Sequence, residues 1–114
     1  MKSTLPFCLV FFALVFALQG CKTKAENAAA KALNSAEQGA AIGQFRLGKM
    51  YASGEGVELD NVYAYMWVNS AVMQGLGNTA NEFKNELKKQ MTPSQIEVAE
   101  NLYVECKEKS YKNC

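Results

Sequence analysis

The chain has 114 residues, with 12 Lys or Arg, 11 Asp or Glu, no His and a formal net charge of +1. No basic stripe stands out, which argues against nucleic acid as a partner. The absence of His removes the commonest general base and the commonest metal ligand.

The first twenty residues, MKSTLPFCLVFFALVFALQG, place one Lys near the start and an apolar run of about 14 residues from Leu5 to Leu18. A spanning helix needs about 20 apolar residues, so this run has the layout of a secretory signal. It ends in Leu18-Gln19-Gly20-Cys21, which resembles the lipobox of bacterial lipoproteins. The resemblance implies a signal peptide over 1–20, cleavage before Cys21, a diacylglycerol thioether on Cys21 and acylation of the new amino terminus. The alternative is an ordinary signal peptide cut nearby, leaving Cys21 a thiol. More than one acyl chain gives stable anchoring. Lys22, rather than Asp, follows the Cys; by the same resemblance this implies the outer membrane of a Gram-negative envelope, facing the periplasm. Once Lys2 leaves with the signal, eleven basic and eleven acidic residues remain, in a chain sized for one small domain.

Residues 22–35, KTKAENAAAKALNS, are rich in Ala, Lys and Asn. Ala is the best helix former, so residues 21–35 are expected as a lipid-to-domain tether, helical in its second half, with little bulk to hold a core. Over 36–53, Ala41, Phe45 and Gly48, with Leu47, Met50 and Tyr51 beside them, recur at helical spacing and predict a helix over 40–53 with Gln44, Arg46 and Lys49 exposed. The loop YASGEGVELD follows. Gly54 and Gly56 supply backbone angles that side chains disfavour, and Val57 or Leu59 is expected to tuck into the crevice. Asp60 is placed as the N-cap of the next helix, which runs over 61–74. There Ala64, Trp67, Val68 and Ala71 make one face, Trp67 and the tyrosines are read as core, and Gly75 and Gly77 close the helix. A third helix over 78–91 buries Ala80, Phe83, Leu87 and Met91 and turns Lys, Asn and Glu to solvent. Thr92, Pro93 and Gln95 form the Thr-x-x-Gln capping box with Pro at the first helical position. The last helix buries Ile96, Ala99, Leu102 or Tyr103, and Cys106. No strand-like alternation occurs, so the chain is expected to be all-α.

At an offset of 36 residues, Ala36-Glu37-Gln38-Gly39 falls on Val72-Met73-Gln74-Gly75, and Ala28 on Ala64. Periods of about 33 to 47 residues belong to helix-pair solenoids. The stretch from Ala36 to Gly75 resembles a Sel-1-like repeat, a relative of the tetratricopeptide repeat. The resemblance rests on Gln44-Phe45, Leu47-Gly48, Met50-Tyr51, Gly54-x-Gly56-Val57, Asp60, Ala64, Trp67, Ala71 and Gln74-Gly75. It implies an antiparallel helix pair over 36–75, a short α-solenoid, with 76–114 as a C-terminal cap of two helices. Gly48 and Ala71 would permit close helix approach, and Tyr51 and Trp67 would fill the interhelical groove. The family role it implies is protein–protein contact through the inner surface of the first helix, where Gln44, Arg46, Lys49 and Ser53 are the candidate binding residues. Three positions depart from the pattern. Ala40 replaces a capping Asp or Asn, Glu58 replaces a frequent Pro, and Gly43 replaces Ala at about 1 kcal/mol of helix propensity. With one complete repeat, where a solenoid normally needs about three, the two last helices must cap the stack, or the protein must dock on something else.

Cys8 leaves with the signal, so Cys106 and Cys114 remain as an even pair in a compartment that permits disulfides. The Tyr111-Lys112-Asn113-Cys114 tail resembles the closing segment of small family members. An internal bridge is expected, stabilising by about 2–3 kcal/mol; two free thiols or an intermolecular bridge are the alternatives. Two thiols without His lack four ligands, so no metal is expected. Glu55, Glu58 and Asp60, like Glu97 and Glu100, read as solvated surface acids. The serines have no His to activate them, and Gly54-Glu55-Gly56 lacks the Lys-Ser/Thr end of a phosphate loop. No catalytic residue, enzyme activity or cofactor is expected. The expected function is an envelope lipoprotein acting as a small protein–protein interaction adaptor. The alternatives are a hydrolase of cell-wall or β-lactam substrates and a structural lipoprotein without a dedicated partner.

Overall fold

The structure is a computed structural model that describes residues 22–114; the signal segment 1–20 and the expected lipid site at Cys21 lie outside the described residues. It is all-α. Five helices follow in order, with no strand among the described residues: α1 Lys24–Glu37, α2 Ala41–Ser53, α3 Asn61–Met73, α4 Asn78–Lys89 and α5 Pro93–Glu108. Consecutive helices α1, α2 and α3 pack pairwise, and α4 and α5 both pack on α3.

The first helix corrects the expected tether. It begins at Lys24, because Thr23 Oγ1 accepts from the Glu26 amide at 3.1 Å and Glu26 Oε2 accepts from the Thr23 amide at 3.2 Å, a reciprocal cap. It then runs unbroken through the expected boundary at 35/36 and buries Ala29, Ala32 and Ala36. Small side chains do not fill a core by volume, but they let a neighbouring helix close in. Gly43 of α2 is the other half of that contact: a Cβ there would sit 2.2 Å from Ser35 Oγ and 3.0 Å from the Ala36 amide nitrogen. The glycine that weakens α2 by propensity is what admits α1.

The next helix, α2, starts at Ala40 without a side-chain cap. It ends at Gly54, whose φ of +74° is left-handed and whose N–H donates to Met50 O at 2.8 Å. Gly56, at φ +76°, is closed in as well, since a Cβ would meet Ala25 O at 2.2 Å. Val57 packs on the core, while Leu59 remains 58% exposed. Asp60 N–H donates to Tyr51 O at 2.9 Å, and Asp60 Oδ1 accepts from the amides of Val62 at 2.9 Å and Tyr63 at 3.1 Å. The α2–α3 approach is as close as expected at Gly48, where a Cβ would meet Val68 Cγ2 at 2.5 Å.

Central helix α3 is buried continuously from Ala64 to Ala71, as a helix apolar around its whole circumference should be. The four-residue face expected from spacing is therefore too narrow. Trp67 belongs to one core cluster, with the α1 alanines, Leu47, Met50, Tyr103 and Cys106, and Tyr51 packs against its rim. Ala64, Tyr65, Val68, Leu87, Met91 and Ala99 form a second cluster on the side facing α4 and α5.

Last comes α5, which opens on the expected capping box: Thr92 Oγ1 accepts from the Gln95 amide at 3.1 Å and Gln95 Oε1 from the Thr92 amide at 2.9 Å. After Glu108 the chain reverses through left-handed Ser110, Tyr111 and Asn113. Cys106 and Cys114 are bridged, with their Cα atoms 5.4 Å apart. The Tyr111 ring lies against Gly39, and Asn113 N–H donates to Glu37 Oε2 at 3.0 Å. The tail thus ties the end of α5 to the α1–α2 turn.

Candidate functional site

The largest concave feature that carries expected binding residues is a groove of about 660 Å³ along α2. Arg46, Lys49, Met50 and Ser53 of α2 form one wall, and Glu55 stands at its loop end. Phe83, Glu86, Leu87 and Gln90 of α4 form the other wall, and Ala28 of α1 reaches the rim. The two walls run parallel, because Phe45 meets Phe83 edge-on at 5.8 Å near one end while Ser53 and Gln90 share the other. Met50 and Leu87 are buried in the floor, and Arg46, Lys49 and Glu86 are exposed above it.

The walls differ in charge. Lys49 Nζ lies 4.8 Å from the Phe45 ring centroid, within range of a cation–π contact. On the facing wall, Glu86 pairs with Lys89 at 2.8 Å, the one ion pair among the described residues. The α2 wall therefore presents cations without an acidic neighbour in contact. An apolar floor between polar rims is an arrangement that binds another chain's side chains.

Of the four expected binding residues, Gln44 is a correction. It is fully buried, its Nε2 donates to Ala36 O at 3.2 Å, and its Oε1 accepts from Gln74 Nε2. Helical spacing placed it opposite Phe45, but α1 covers that side of α2, and the amide satisfies the backbone where α1 ends. Arg46 and Lys49 line the groove as expected. Ser53 lines it too, but its hydroxyl donates to Met50 O and accepts from the Glu55 amide, both at 3.3 Å, so it shapes the turn. Sequence reasoning missed the α4 wall, where Glu86 and Gln90 were read as an ordinary solvated face. Phe83 follows Phe45 by 38 residues and Leu87 follows Met50 by 37, a period close to the repeat offset and the one signal that pointed to it.

The carboxylates weighed as possible acid/base couples have structural partners. Asp60 caps α3, and Glu100 accepts from the Tyr65 hydroxyl at 3.2 Å. Burial, followed by the Glu100 charge and this hydrogen bond, pushes the Tyr65 phenol up to about 12. Lys84 lies 5.8 Å from the Tyr65 ring centroid and is held below its ordinary value by burial and by Lys88. Tyr51, stacked on Tyr63 at 5.6 Å, is raised by burial, then by Tyr63 and Asp60. Among the described residues no cluster of His, Cys, Asp or Glu could hold a metal ion, and no helix is long and apolar enough to cross a membrane.

Comparison with protein-family models finds no match, and no curated protein or solved structure matches the chain.

Proposed function

We propose that this chain is a bacterial envelope lipoprotein, anchored in the outer membrane by lipid on Cys21, that acts as a protein–protein interaction adaptor through a Sel-1-like helix pair formed by α2 and α3. The observation that carries this reading is the groove between α2 and α4, with its buried Met50 and Leu87 floor and the exposed Arg46 and Lys49 on one wall. The hydrolase alternative finds less support, since Asp60 and Glu100 are committed to a cap and to Tyr65.

The partner is tested by placing a photo-crosslinking residue at Lys49 and, as a control, at Val104 on the outer side of α5, which is 52% exposed. A reproducible protein adduct in cells at position 49 and none at 104 is the expected result. Equal capture at both positions, or none at 49, would remove the groove as the docking site. For the anchor, Cys21→Ser is expected to shift the protein from the outer-membrane fraction to a soluble or uncleaved pool. Unchanged fractionation would count against lipidation.

A further inference from the structure

We propose that the domain stands on the bilayer by one defined end, the 54–59 loop, instead of swinging on a tether; this rests on the lipid at Cys21 proposed above. Helix α1 starts at Lys24 with Thr23 as its reciprocal cap, so the link from Cys21 to the capped helix is two residues, about 7 Å when extended. The first turn of α1 is seated on the glycine loop, with Ala25 O so close to Gly56 that a Cβ there would lie 2.2 Å away. The anchor is therefore joined to a rigid body. The opposite end, where Tyr111 meets Gly39, lies the length of α1 away, about 21 Å for its 14 residues.

Two features argue for an upright stance over a domain lying flat along α1. The outward stripe of α1 is Asn27, Lys31, Asn34 and Gln38, all exposed, and a polar stripe has no apolar face to bury in the headgroup boundary. At the loop end, by contrast, Leu59 is 58% exposed and offers an apolar contact. The loop end also carries the acids Glu26, Glu55 and Glu58 beside Lys22 and Lys24; with no basic surplus, lipid and Leu59 hold the domain there, not charge. The docking groove then runs up from the bilayer surface, with Ser53, Glu55 and Gln90 at its foot.

The test uses the full-length protein, processed in cells and reconstituted in phospholipid vesicles, with benzoylphenylalanine in place of Leu59 or of Met73. Met73 ends α3 at the far end and is 61% exposed, close to the exposure of Leu59. After illumination, phospholipid adducts at position 59 are expected to exceed those at position 73 at least tenfold. Inserting twelve Gly/Ser residues between Lys22 and Thr23 is expected to bring the two yields together. Equal yields without the insertion overturn the orientation, provided that the intact mass carries the diacylglycerol addition. An intact mass without that addition overturns the anchor and the orientation with it.

Discussion

At Gly56 and Gly75 the backbone is left-handed at similar angles, φ +76° and +85°, but the surroundings differ. An added methyl at Gly75 meets nothing within 4 Å, whereas at Gly56 it runs into Ala25 O. Gly75→Ala is expected to cost about 1 kcal/mol for the backbone alone. Gly56→Ala is expected to cost about 3 kcal/mol, adding overpacking against α1 to the same strain. Urea denaturation of the pair measures the difference, and equal losses would show that α1 does not seat on the loop. From sequence, both glycines were legible as turn makers. That one of them is also a contact with α1 was not, because the contact joins segments about thirty residues apart.

Tyr65 supplies a pH dependence at the same scale. Its phenol is raised from 10.0 to about 12, so the folded state favours the neutral form. Its stabilisation is complete below pH 10, the unfolded value, and is lost as pH rises from there towards 12. Urea melts between pH 9 and 12 are expected to show this loss, with a shallower decline in Tyr65→Phe. A residual slope remains from Tyr51 and Tyr111, which are also raised by burial. The same slope in both proteins would assign the effect elsewhere.

Among the elements, the C-terminal tail is the one whose contribution is easiest to isolate. The Cys106–Cys114 bridge closes a short loop and is expected to contribute about 2–3 kcal/mol. Reduction should lower the melting temperature and release Tyr111 from Gly39. Cys114→Ser should melt at the reduced protein's temperature and be insensitive to reductant. A wild-type melt unchanged by reductant would show that the Tyr111 and Asn113 contacts hold the tail alone. Helices α2 to α5 were legible within two residues at most ends because their starts and stops are local: Gly54, Asp60 and Thr92 act on their immediate neighbours. Helix α1 was only half legible. Its cap, Thr23 with Glu26, is local and open to reading, but its role in the core depends on Gly43 and Gly56, which lie in other elements.

For the molecule as a whole, one complete helix pair is not left with open faces. The pair α2–α3 is covered by α1 on one side and by α4 and α5 on the other, and the tail links the two ends of the stack. The groove is the product of that stacking, so its walls should be separable from stability. Arg46→Glu combined with Lys49→Glu changes exposed side chains and is expected to leave stability within about 0.5 kcal/mol. It is also expected to abolish the crosslinked adduct at the groove, read from a neighbouring probe at Ser53. An undiminished adduct would show that the basic wall plays no part in docking.

The sequence by itself determined the all-α class, the four helices after residue 40, the turn chemistry of Gly54, Gly56 and Asp60, and the pairing partner for Cys106, because each of these depends on residues near one another in the chain or on periodicity. Tertiary structure alone decided that the alanine-rich segment is a core helix, that Gln44 is buried, and that α4 supplies the second wall of the groove. Those outcomes turn on which helix covers which face. Composition is silent on that choice: an alanine stripe, a glutamine and a charged helix face each have more than one stable environment, and close approach at Gly43, Gly48 and Gly56 selects among them.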